Sequence, residues 1–208
     1  MKVGKFIVLE GLDGSGKTEV INRLKKDFPQ FIYSREPGGS EFGEMVRAVL
    51  VDERSKNVPA LPTLLGFMTS RASHIEELVL PALKKGTSVV SDRFDTSTFA
   101  FQLFGQKNRK LEDVFWYLRN KIIKKLKVEY IYLRITPQIA EERRRGRQGN
   151  NHFDNQTQDY HSRVFRGYEN FFKRKGIRVK IVDASFDKET VYKNVSEYIK
   201  KLLKNKIA

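Results

Sequence analysis

Eight residues near the start of the chain, Gly11-Leu12-Asp13-Gly14-Ser15-Gly16-Lys17-Thr18, restrict its fold more than any other feature. They follow Lys5-Phe6-Ile7-Val8-Leu9, a β-branched and aromatic run that reads as a strand buried on both faces. They precede Val20, Ile21, Leu24 and Phe28, whose three- and four-residue spacing predicts an amphipathic helix stopped by Pro29. A strand that turns through glycines at 11, 14 and 16 straight into a helix is the arrangement of a phosphate-binding P-loop. The glycines let successive backbone N–H groups point inward at phosphate oxygens, the helix dipole adds partial positive charge, and Lys17 reaches the β- and γ-phosphates. Thr18 is then the expected Mg²⁺ ligand. The alternative is a Gly-rich turn that holds nothing.

Four more short runs, at Phe31-Ile32-Tyr33, Ser88-Val89-Val90, Tyr130-Ile131-Tyr132-Leu133 and Val179-Lys180-Ile181-Val182, read as strands separated by helical stretches. Alternation of this kind predicts an α/β P-loop NTPase fold: a five-stranded parallel sheet with helices on both faces. No repeat or linker divides the chain, so residues 1–208 are expected to form a single domain. The absence of cysteine excludes disulfides, thiolate metal sites and thiol nucleophiles, and three scattered histidines do not make a zinc site. Any metal is expected to be oxygen-ligated. No apolar run approaches the roughly 20 residues that span a bilayer, and Met1-Lys2-Val3 does not open a signal peptide. The expectation is a cytoplasmic protein with no membrane partner.

The net charge of +15 is unevenly placed. Gln106 to Gln148 holds 13 basic and 5 acidic residues, Phe171 to Ala208 holds 11 and 4, and the remainder is neutral. Such an excess suits a polyanion groove, a basic lid over phosphates or a solvated helical face. The C-terminal lysines interleave with Val191, Val195, Ile199 and Leu202 at helical spacing, which fits the solvated face as well as a groove.

The reaction has to come from outside the loop. Three stretches lie at or beyond strand carboxyl ends, the edge where open parallel sheets bind ligands. They are Ser34-Arg35-Glu36-Pro37-Gly38-Gly39-Ser40, then Phe67-Met68-Thr69-Ser70-Arg71, then Ser91-Asp92-Arg93-Phe94 leading into Asp95 to Gln102. In order and spacing, Glu10 to Thr18, Ser34 to Ser40, Leu65 to His74 and Asp92 to Gln102 resemble the motifs of the thymidylate kinase family, bacterial type, over nearly the whole chain. That resemblance implies transfer of the γ-phosphoryl group of ATP to dTMP, giving dTDP and ADP, with Mg²⁺ as cofactor. It also implies a homodimer built through helices that flank the sheet.

Carried over by position, the resemblance implies that Gly11 to Thr18 cradle ATP and that Thr18 and Asp92 serve Mg²⁺, Asp92 through water. Phe67 would stack on the thymine, Arg71 would hydrogen-bond its O4, and Thr98 with Gln102 would meet the base edge. Arg93 and Arg47 would hold the acceptor phosphate, Asp13 would face the 3′-hydroxyl, and Phe101 would press its ring against the 2′ carbon and favour deoxyribose. The chemistry of the residue types agrees, since paired arginines fork onto phosphate and a ring beneath a pyrimidine excludes water. Blander readings exist for each: Asp92 and Arg93 as a strand-end ion pair, Phe67 as core. Trp116 receives no role.

Phosphoryl transfer needs positive charge over the migrating group. The loop has no arginine at Leu12, Asp13 or Ser15, and the bacterial type of the family relies on lid arginines instead. Glu142-Arg143-Arg144-Arg145-Gly146-Arg147 opens the expected lid, residues 143–155, with Arg143, Arg145 and Arg147 as the catalytic cations beside Lys17, Asp92 and Arg93. Asn151-His152-Phe153-Asp154 stands where the family has Asp-Arg-x-Glu, so one customary arginine is a histidine. Glu19, Phe101 and Arg134 are further departures. Two rivals remain: a nucleic-acid-binding P-loop ATPase or polynucleotide kinase, which the charge prompts, and a catalytically weak nucleotide-binding homologue. No nucleic-acid motif or ordered aromatic spacing supports the former, and nucleic acid is not the expected partner.

Overall fold

The structure, a computed structural model, describes residues 3–124, 126–145 and 156–204. Its strands are β1 (Phe6–Glu10), β2 (Ile32–Arg35), β3 (Val89–Asp92), β4 (Val128–Arg134) and β5 (Val179–Asp183). They form one all-parallel sheet in the order β2-β3-β1-β4-β5. Each run expected from the sequence is a strand, with ends displaced by a residue or two, as strand ends are the least determined part of any pattern.

β1 divides the interior. Ile7 and Leu9 face a core made with Val20 and Leu24 of α1 (Lys17–Asp27) and Val191, Val195 and Ile199 of α9 (Lys188–Lys204). Phe6 and Val8 face the opposite core with Leu64 and Met68 of α3 (Ala60–His74), Phe115 of α6 (Glu112–Ile123) and Phe171 of α8 (Gln158–Phe172). All five β1 residues are buried, which is why the run shows no polar alternation. On α9, Lys193, Lys200 and Lys201 are exposed while the interleaved apolar residues are buried, so this part of the charge is a solvated face.

β1 and β3 end level, with Leu9 opposite Asp92. The chain leaves β1 toward β2 and leaves β3 toward β4, so the two carboxyl ends flank the crevice where the strand order reverses. Two π-helical stretches stand near it. Ile75–Val79 joins α3 to α4 (Leu80–Lys84), and Phe99–Gly105 continues α5 (Asp95–Thr98). The second carries Phe101 and Gln102, so the wider turn lies directly within the site.

Phe99 is the centre of an aromatic cluster, with ring centroids 5.2 Å from Phe115, 5.4 Å from Trp116 and 5.5 Å from Phe171. Trp116 stacks on Phe171 at an interplanar angle of 22°. Its place is in packing. Among the described residues no helix is long and apolar enough to cross a membrane. Phe99→Ala should lower the unfolding free energy by about 3–5 kcal/mol in urea titrations, because the ring is fully buried and its neighbours cannot close the gap. A loss below about 1 kcal/mol would show that this cluster does not hold the helices to the sheet.

Candidate active site

The loop between β1 and α1 has Gly11, Gly14 and Gly16 at φ 151°, 94° and 92°. At Gly16 a Cβ would meet open space, so its glycine answers to backbone conformation alone. At Gly14 a Cβ would stand 2.7 Å from the Ala140 carbonyl of α7 (Pro137–Arg144), so that helix lies directly against the loop. Lys17 is buried and donates to the carbonyls of Gly11 at 2.9 Å and Leu12 at 3.1 Å. Lys17 therefore also ties the loop to itself. Burial, then Arg93, lowers its pKa. The Leu12 side chain belongs to the core, Ser15 is buried with an unpartnered Oγ, and Thr18 is exposed at the start of α1.

Beside the loop lies a cleft of about 230 Å³. Asp13, Arg47, Phe67, Arg71, Arg93, Thr98, Phe101 and Gln102 all line it. They come from the loop, α2 (Glu41–Val51), α3, the end of β3, α5 and the following π-helical stretch. Arg47 donates to the Pro37 carbonyl at 2.8 Å, and Gln102 keeps a buried Oε1 with no partner.

Glu36 also lines the cleft, a residue that the sequence marked only as part of a motif. Its Oε2 accepts from Arg71 Nε at 2.8 Å and its Oε1 meets His74 Nδ1 at 2.9 Å. His74 Nε2 meets Ser34 Oγ at 2.9 Å, and Arg71 Nη2 donates to Thr98 Oγ1 at 2.8 Å. Arg71 is 1 % exposed, so Glu36 supplies the counter-charge that lets a guanidinium stay buried beside a small ligand site.

Arg93 is held in the left-handed region at φ 69°. Its Nη1 donates to Ser97 Oγ and Tyr168 OH, both at 3.0 Å, and to the Gly11 carbonyl at 3.3 Å, while Nη2 donates to Asp13. Its guanidinium lies 5.0 Å from the centre of the Phe101 ring. Burial alone would raise the Asp13 pKa, but Arg93 and then Lys17 pull it down to about 2. Behind this layer, Glu10 at the end of β1 is fully buried. It accepts from Phe94 N at 2.9 Å, Ser97 N at 3.2 Å, Ser97 Oγ at 2.6 Å and Tyr168 OH at 3.2 Å. Burial dominates these donors and raises its pKa to about 7. Glu10 and Tyr168 stand 158 positions apart, and only the fold brings them together.

The arginines after β4 divide. Arg143 donates to the carbonyls of Ala184 at 2.8 Å and Ser185 at 3.2 Å, at the turn after β5, which corrects the expectation that it faces the transferred phosphate. Arg145 ends α7 with an exposed side chain. Arg147 and the Asn151–Asp154 segment lie outside the described residues. Arg144, which carries no role in the expected lid, meets His161 Nε2 at 2.7 Å and lies within electrostatic reach of Asp13. Burial, then Arg144, holds the His161 pKa down at about 4, so the imidazole is neutral near pH 7 and accepts from the arginine.

Asp92, half-buried at the end of β3, has a buried Oδ1 with no partner. An oxygen ligand set of Asp92 and Thr18 suits a hard divalent cation. Among the described residues there is no group of three or more His, Asp or Glu side chains that would hold a metal unaided, so substrate phosphates and water would have to complete the coordination.

Glu10 links this site to stability through pH. The unfolded chain releases its proton near 4.5 and the folded chain near 7. The folded state therefore binds more protons in that window, and its stability falls as pH rises through it, by about 3 kcal/mol in all. Glu10→Gln keeps the neutral form. Urea titrations from pH 4.5 to 7 should show the parent losing that amount relative to Glu10→Gln, and a constant difference would mean that folding leaves the Glu10 pKa unchanged.

The sequence profile of the thymidylate kinase family matches residues 9–195. A thymidylate kinase of Mycoplasma capricolum is 32% identical over 206 residues, covering 96% of each chain. Another from Caldanaerobacter subterraneus is 33% identical over 211 residues, covering 97% of each, and one from Prochlorococcus marinus is 32% identical over 214, covering 98% of this chain and 99% of its own. A nearly full-length match of this kind, on a parallel sheet with a phosphate loop at the end of its central strand, assigns the chain: it belongs to the thymidylate kinase family.

Proposed function

We propose that this chain transfers the γ-phosphoryl group of ATP to dTMP. The observation that carries the reading is the convergence of Asp13, Arg47, Phe67, Arg71, Arg93, Thr98, Phe101 and Gln102 on one cleft beside the phosphate loop. Loop N–H groups and Lys17 hold the β- and γ-phosphates. Arg93 and Arg47 bring the acceptor phosphate in line, one of its oxygens bonds to the γ-phosphorus, and the bridging bond to ADP breaks. Phe67 covers the thymine face, Arg71 donates to O4, and the free Oε1 of Gln102 accepts from N3–H. A cytosine would set its 4-amino group, a donor, against the guanidinium, and Glu36 keeps that guanidinium from turning away. Asp13 faces the 3′-hydroxyl and Phe101 the 2′ carbon. Thr18 and Asp92 would hold Mg²⁺, which when bound neutralises phosphate charge. Arg144, set beside the loop by neutral His161, adds positive charge near the transferred group.

The chain is further read as a homodimer. Phe42, Met45 and Val49 on α2, Leu61 and Leu65 on α3 and Tyr117 on α6 are exposed at 44% to 65%, and these helices pack together. A shared apolar face of this kind suits a twofold contact.

A coupled ADP-release assay over a panel of nucleoside monophosphates tests the reaction and the acceptor together. dTMP should be turned over best, dUMP less well because a methyl contact of about 1 kcal/mol is lost, and dCMP near background. No dTMP-dependent ADP release would end the reading. Arg47→Ala should weaken dTMP binding by about 1.5–3 kcal/mol in isothermal titration and leave ATP binding alone, and the reverse would put Arg47 on the donor side.

The two neighbouring arginines separate as well. With both substrates saturating, Arg144→Ala should lower kcat at least tenfold while Arg143→Ala keeps kcat within a factor of about three. Equal kcat in the two variants would remove Arg144 from the transfer step.

A further inference from the structure

At the end of the sheet away from the phosphate loop, a second cleft of about 390 Å³ opens between the last turn of α6, the start of β4 and the turn that leads into β5. Five cations line it, Arg119, Lys124, Lys127, Lys175 and Arg178, and no carboxylate does. They come from the two stretches, Gln106 to Gln148 and Phe171 to Ala208, that hold the entire net charge of +15. Far apart in the sequence, these stretches meet at one concavity because β4 and β5 are neighbours.

The five are not equivalent. Arg119 is tied to the buried Asp95, and Arg178 lies 3.4 Å from the buried Glu129 with its own side chain 68% exposed. Lys124, Lys127 and Lys175 are exposed and form no ion pair among the described residues. Cations gathered on a concave wall repel one another, and the field they share is focused into the cavity, where an anion relieves it. The lysines of α9 differ, since they spread along an open helix face and line none of this cleft. The lining offers no ring for a base to stack on, because Tyr130 is buried and its hydroxyl is bound to Asp95. Ammonium and guanidinium groups without an aromatic platform match phosphate oxygens rather than bases.

We propose that this cleft is a second binding site, separate from the nucleotide cleft, that takes a phosphate-bearing polyanion on Lys124, Lys127, Lys175 and Arg178. Two sources share that chemistry, a soluble polyphosphate and the backbone of a single nucleic-acid strand. The site does not depend on the kinase reading, and none of its residues lines the nucleotide cleft.

The test uses the full chain with ADP and dTMP saturating. Inorganic tripolyphosphate is titrated by calorimetry and a labelled oligothymidylate of about 12 nucleotides by fluorescence anisotropy, at several salt concentrations. The parent is compared with the triple variant Lys124→Ala/Lys127→Ala/Lys175→Ala and with a charge-matched control, Lys193→Ala/Lys200→Ala/Lys201→Ala. The parent should bind at least one probe, the cleft variant should lose at least tenfold, and the control should stay within about twofold of the parent. Loss on the oligonucleotide should come with a shallower salt dependence, by about 0.7 in the logarithmic slope for each phosphate contact removed. Loss on tripolyphosphate alone identifies a soluble polyphosphate as the source, and loss on the oligonucleotide identifies a strand. dTMP phosphorylation should keep its kcat and KM in the cleft variant. Binding of neither probe by the parent, an unchanged cleft variant, or an equal loss in the control would each overturn the proposal.

Discussion

Arg93 leaves β3 in a backbone region that costs a non-glycine residue of order 1–3 kcal/mol, and it stays there only because the surroundings over-determine it. Its amide donates to the Leu9 carbonyl of the central strand at 2.9 Å, which locks the two strand ends at one level. Its guanidinium then reaches the Gly11 carbonyl, Asp13, Ser97 and Tyr168 at once. Loop, strand end, α5 and α8 are thus fixed relative to a single cation. The Glu10 carboxyl stands behind as the acceptor for Ser97 and Tyr168, so the orientation of Arg93 is set by hydroxyls that are themselves oriented.

A second carboxylate repeats the logic on the base side of the cleft. Glu36 holds Arg71 with one oxygen and His74 with the other, and Thr98 takes a second nitrogen of Arg71. With two of its nitrogens fixed, Arg71 can offer a ligand only a narrow range of directions. Discrimination between a carbonyl and an amino group on a pyrimidine needs that restriction, because a mobile guanidinium could retreat from the wrong base at little cost.

Much of this was legible from residues alone, and for identifiable reasons. The five strands are short apolar runs buried on both faces, and the phosphate loop declares itself through glycines whose positive φ values no other residue adopts cheaply. The resemblance to the thymidylate kinase family, rather than the residues by themselves, supplied the eight acceptor residues that line one cleft. The buried carboxylates were less legible. Glu10 and Glu36 are short-range members of readable motifs, but their partners Tyr168, Ser97, Arg71 and His74 are set by packing between elements. The π-helical stretches were invisible for a similar reason, since Phe99–Gly105 has the composition of an ordinary buried helix and packs on α8, far away in the sequence.

The run Arg143-Arg144-Arg145 shows how far helical geometry limits a reading by proximity in sequence. Successive residues on a helix project about 100° apart, so adjacent arginines at the end of α7 cannot address one phosphate together unless the helix is unwound. Arg143 turns toward the carbonyls after β5, where two oxygens accept from it. Arg144 turns toward His161 and the loop, where the nearby Ala140 carbonyl already lies against Gly14. The direction of each side chain follows from which neighbour α7 packs on. That packing depends on Gly14 having no side chain, because any Cβ there would meet the Ala140 carbonyl at 2.7 Å and drive the helix off the loop. The glycine that shapes the phosphate cradle is therefore also the residue that brings Arg144 to it.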